Sequence, residues 1–154
     1  MKHDMCRGDT VLEASKPKAG ASERRTSDAE FEAQMAVLSE LFKDDRASLA
    51  QIINGALDSI RVDCQRITCG AGAGDTASMI ASSHRLQGTA GNLRANRMIA
   101  IASSIERAAE AGAFVAPALV AELARTVDVL GLQIEAYVKL FPVTAAPLSN
   151  RLES

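Results

Sequence analysis

Between Pro117 and Pro142, the apolar residues Val120, Leu123, Val127, Leu130, Ile134, Tyr137 and Phe141 recur in alternating steps of three and four. That spacing lays all seven along one side of a helix and makes a seam that must be buried against other helices. Pro117 fits the first turn, where its missing N–H is no loss, and Pro142 stops the helix.

The same rhythm recurs upstream. Leu49, Ile52, Ile53, Ala56, Leu57, Ile60 and Cys64 form an apolar stripe on a helix from Asp45 to about Thr68, expected to face the core. Met98, Ile101, Ala102, Ile105 and Ala109 form another on a helix over 97–111, with Asn96 as its cap and Gly112 at its end. Asp75 caps a helix predicted over 76–95. Ser27-Asp28-Ala29-Glu30 has the S-x-x-E form of a capping box, which predicts a short helix from there to about Lys43. Apolar types make up 47% of the 154 residues but include no Trp, one Tyr and four Phe, and an alanine-rich core of this kind favours close-packed helices. Short connections between amphipathic helices favour antiparallel neighbours. The expected fold is all-α, an up-and-down antiparallel four-helix bundle with a short additional N-terminal helix.

Residues 1–26 lack a hydrophobic period and read as a flexible tail. The helical domain is expected over 27–142, with a second flexible tail over 143–154. The run Gly70-Ala71-Gly72-Ala73-Gly74 is expected to be a loop, because glycine at that density is entropically costly in a helix. It lacks the Lys-Ser/Thr and the preceding strand of a nucleotide-binding loop. The cysteines Cys6, Cys64 and Cys69 have neither the number nor the spacing of a disulfide scaffold or zinc ribbon, and no apolar leader follows Met1, so a cytoplasmic location is expected. Apolar runs such as 98–102 are far too short for direct membrane insertion. A formal charge of −2 argues against nucleic acid as a partner.

The chemistry is expected in Ser82-Ser83-His84-Arg85-Leu86-Gln87-Gly88-Thr89-Ala90-Gly91-Asn92-Leu93. At about 100° per residue, burial of Met79, Leu86, Ala90 and Leu93 turns His84 outward. The same rotation places Ala77, Ala81, Gly88, Gly91 and Ala95 within about 60° of its direction. Each glycine costs a helix roughly 0.8–1.0 kcal/mol relative to alanine, and these two point to the histidine's side. Close approach by another molecule accounts for them better than packing does. A neutral imidazole offers a nucleophilic nitrogen at cytoplasmic pH.

The order His84-Arg85-Leu86-Gln87-Gly88-Thr89-Ala90-Gly91-Asn92-Leu93 resembles the signature of histidine-containing phosphotransfer (HPt) domains, usually written with His-x-Leu-Lys-Gly at its start. Ile105-Glu106-Arg107-Ala108-Ala109-Glu110-Ala111-Gly112 is similar to the family's following helix, and the resemblance covers about residues 28–141. It implies a four-helix bundle with His84 as phosphoacceptor. It also implies a response-regulator receiver domain and a hybrid sensor histidine kinase as partners, in a two-component phosphorelay. The carrier has no cofactor of its own, Mg²⁺ being expected on the receiver, and a monomer is expected. Gln87, Gly88, Gly91, Arg85, Arg94, Ile80 and Ala81 would form the phosphate environment and docking surface. Gln87 replaces the usual lysine and offers a neutral amide instead of a positive charge, and Arg94 stands where the family often has glycine. Arg85 and Arg94 would restore positive potential.

Three other readings compete. A helical adaptor would keep the docking surface without phosphotransfer. A metal-binding bundle enzyme lacks an E-x-x-H pair, and a kinase dimerisation and phosphoacceptor domain would be followed by an ATP-binding module.

Overall fold

The structure, a computed structural model, describes residues 21–43 and 45–140, with side chains from Asp28 onward. It is all-helical: α1 (Ala21–Leu41), α2 (Arg46–Ala73), α3 (Thr76–Asn92), α4 (Asn96–Glu110) and α5 (Pro117–Lys139). Neither tail expectation beyond these limits, nor Phe141, falls within the described residues.

α1 is longer than the capping box implies. At 21 residues it is already helical at Ser27, because the helix-forming run from Ala21 carries the backbone through that pattern and overrides a local cap signal. It buries Phe31, Met35 and Leu38, packs on α2, and reaches α5 through an edge-to-face contact of Phe31 with Tyr137 and a 2.8 Å hydrogen bond between Ser39 and Tyr137.

α2 begins as expected, with the Asp45 carboxylate accepting from the Ser48 N–H and hydroxyl. Those bonds hold the Asp45 carboxyl below its ordinary pKa. Its other end departs from expectation, because the glycine-rich run is helical through Ala73 rather than a loop. A Cβ on the buried Gly70 would lie 2.9 Å from Met79 Cγ and 3.1 Å from the Asp75 carbonyl. Close approach of α2 to α3 therefore offsets the local entropy cost. Ile52 is a second departure: it is 51% exposed, so the core stripe runs through Leu49, Ile53, Leu57, Ile60, Cys64 and Ile67 without it.

The ends of α2, α3 and α4 share one geometry. Asp75, Ala95 and Ala113 each donate their N–H to the carbonyl five residues back, at 2.9 Å. The residue before each is left-handed: Gly74 at φ 68°, Arg94 at φ 53° and Gly112 at φ 63°. α3 consequently stops at Asn92 rather than Ala95, and Ala95, not Asn96, precedes α4, without a side-chain cap. The α4 stripe is buried throughout, as are Val120, Leu123, Val127, Leu130 and Ile134 of α5.

α2 packs on α3 and α5, and α4 packs on the same two helices, so the four share one apolar core. Among the described residues, no helix is long and apolar enough to cross a membrane.

Candidate functional site

α3 is oriented by its buried face. Met79, Leu86, Ala90 and Leu93 are all buried, each large apolar side chain contributing roughly 1.5–3 kcal/mol when fully removed from water. That rotation leaves His84 outward near the middle of the helix, its side chain 80% exposed. Ala77, Ala81, Gly88 and Gly91 are exposed on the same side, and Ile80 is half-buried. Among the described residues, nothing lies within 4 Å of a Cβ placed on Gly88 or Gly91, so neither glycine serves packing against them.

His84 is held from α4. Its Nδ1 lies 3.2 Å from Glu106 Oε1, and the Glu106 side chain is only 16% exposed. The other carboxylate oxygen, Oε2, accepts from Gln87 Nε2, which also donates to the Ser83 carbonyl at 3.2 Å. A ring that donates Nδ1–H to a carboxylate carries its lone pair on Nε2, so Glu106 selects both the tautomer and the ring orientation. Gln87 braces the carboxylate. Beneath this cluster, the Ser83 hydroxyl is buried without a hydrogen-bond partner among the described residues.

Arg85 belongs to a different set of contacts. Its Nε and Nη2 donate to Asp63 Oδ1 on α2 at 3.1 and 2.9 Å, and Nη2 also donates to the Ser82 hydroxyl at 2.9 Å. Arg66 adds a third donor to the same Asp63 oxygen at 3.4 Å. The Asp63 side chain is 6% exposed, and a carboxylate so removed from water requires such donors. The structure thus ties Arg85 to α2 and His84 to α4. Arg94 lies beyond the end of α3, in the left-handed turn.

Sequence reasoning missed Glu106 and Asp63 as partners of this segment. Asp63 carried a signal, an acid set among the apolar Ile60, Cys64 and Ile67 of α2. Glu106 carried none, since its pairing with His84 spans 22 residues and depends on how two helices meet.

No group of three or more His, Cys, Asp or Glu that could hold a metal occurs among the described residues. Burial, with the Asp128 carboxylate adding to it, pushes the Cys64 thiol up and keeps it from acting as a thiolate nucleophile. The arrangement offers one exposed nucleophilic nitrogen, a braced carboxylate behind it, and a low surface around it. No protein-family model matches the chain, and neither a curated protein nor a solved structure matches it.

Proposed function

We propose that this chain is a histidine-containing phosphotransfer domain that carries a phosphoryl group on His84 in a two-component phosphorelay. The observation that carries the proposal is the exposed His84 ring, fixed through Nδ1 by Glu106 and ringed by Gly88, Gly91 and Ala81. α2, α3, α4 and α5 would be the up-and-down antiparallel four-helix bundle, with α1 laid against α2 and α5. The partners are a receiver domain and a hybrid sensor kinase in the cytoplasm, and the carrier acts as a monomer.

In this reading, Nε2 attacks the phosphorus of a receiver aspartyl phosphate. The N–P bond forms as the P–O bond breaks, and the electron pair leaves with the aspartate carboxylate. The ring gains positive charge, which the Glu106 carboxylate hydrogen-bonded to Nδ1–H offsets and stabilises. Positioning and charge neutralisation supply most of the catalysis in phosphoryl transfer. The receiver brings the aspartate and Mg²⁺, and this chain is a carrier rather than an autonomous enzyme.

The test is incubation of the full chain with a panel of phosphorylated receivers. Acid-labile label should appear on the wild type and be absent from His84→Gln. An adaptor without phosphotransfer is the second reading, favoured by Gln87 and Arg85 both being engaged within the molecule. It predicts receiver binding with no label on His84.

A further inference from the structure

We infer that the outward face of α5 is a self-association surface, on which two copies of this chain pair antiparallel about a two-fold axis midway between Val129 and Leu132. Phosphotransfer as proposed needs only one copy, so the inference goes beyond that reading and does not depend on it. Ala121, Arg125, Val129, Leu132, Ala136 and Leu140 follow steps of four, four, three, four and four. At about 100° per residue they lie within about 50° of one direction, on the side of α5 opposite its buried row. All six are exposed, with Val129 at 44%, Leu132 at 68% and Leu140 at 73%. Among the described residues, neither α3 nor α4 exposes a large apolar side chain. An apolar row gathered on one helix marks a contact surface, unlike apolar residues scattered singly.

Charge and side-chain size identify the occupant as a second copy. Arg125 is the one charge among the six, so a parallel pairing in register would set it against itself, whereas the antiparallel pairing holds the two guanidinium groups about 16 Å apart along the helix. In the antiparallel register, Val129 of each copy meets Leu132 of the other, Arg125 lies level with Ala136, and Ala121 with Leu140. Each long side chain away from the axis thus meets an alanine, which lets the two helices close on each other. Arg125 also comes one residue from Glu135 of the second copy, the acid that faces Arg61 of its own chain at 3.8 Å. α3 and α5 both pack on α2 and α4 rather than on each other, so the paired face points away from His84 and leaves the phosphoacceptor of each copy open.

The experiment is sedimentation equilibrium of the full chain from about 5 to about 500 μM, a range that brackets the dissociation constant of a small interface. Wild type should rise from the monomer mass of 16.2 kDa toward twice that value. Leu132→Glu puts like charges at the two-fold axis, on an exposed position, and should stay monomeric. Phe114→Glu changes an exposed residue outside α5 and should associate as wild type does. Arg125→Glu should weaken association by about tenfold, and adding Ala136→Lys should restore it to within about threefold of wild type, because the two positions meet only in the antiparallel register. A Leu132→Glu variant that still pairs, an equal loss from Phe114→Glu, or a double variant no better than Arg125→Glu would each overturn the inference. Wild type that stays monomeric throughout also overturns it and leaves the α5 face to a different protein. Mass is read without phosphate, so failure of the pairing and failure of phosphotransfer are distinguished.

Discussion

The helical stretch of α3 and the turn that closes it use glycine in opposite ways. Within the helix, Gly88 and Gly91 occupy exposed positions where a Cβ would meet nothing within 4 Å among the described residues. At the end, Arg94 occupies a left-handed position that suits glycine, the same position that Gly74 and Gly112 fill behind α2 and α4. Helix stability would reverse both choices. A glycine at position 94 would relieve the left-handed backbone there, whereas Gly88 and Gly91 answer no packing demand among the described residues. Gly70 completes the contrast, since it is equally helical but has Met79 and Asp75 against it.

The largest effect should come from Gly88→Leu, which puts bulk beside His84 at a position where a Cβ meets nothing within 4 Å among the described residues. Labelling by a receiver should fall by about a hundredfold, while the thermal midpoint holds or rises; a collapsed midpoint with normal transfer in the surviving fold would break the contrast. Gly70→Ala should do the reverse. It should destabilise the protein by about 1–3 kcal/mol in denaturant titrations, because Met79 and backbone must give way, and the folded fraction should still accept phosphate. The smallest effects belong to the conformational exchange within α3. Arg94→Gly should gain about 1 kcal/mol by relieving the left-handed arginine, and Gly91→Ala, in the last turn of the helix, a smaller gain through helix propensity. Stability unchanged by Arg94→Gly would mean that the arginine side chain compensates for its backbone.

Periodicity made much of this fold legible. The stripes of α4 and α5 needed no tertiary information, because a three-and-four rhythm already defines the face to be buried. It failed on stripe width: Ile52 keeps the rhythm yet lies past the edge of the core. Glycine density misled for another reason, since the energetic cost of Gly70 is local but its compensation comes from α3. Cap signals at Ser27 and Asn96 were overridden by a helix already under way and by the turn at Arg94. For the site, the outward direction of His84 followed from its buried neighbours. Its carboxylate partner on α4 did not, because the pairing is made by the packing of two helices and leaves no mark on spacing.

The shared carboxylate of Glu106 makes positions 84 and 87 thermodynamically inseparable. His84 holds one oxygen and Gln87 the other, so any change at either residue is also a change in the acceptor strength felt by the other. A lysine placed at 87 would meet Glu106 before it met a phosphoryl group, forming an ion pair that spends the added charge on the protein itself. Single substitutions here therefore report sums. A double-mutant cycle over Gln87→Lys and Glu106→Gln isolates the coupling, and only the double variant would present an uncommitted ammonium beside His84.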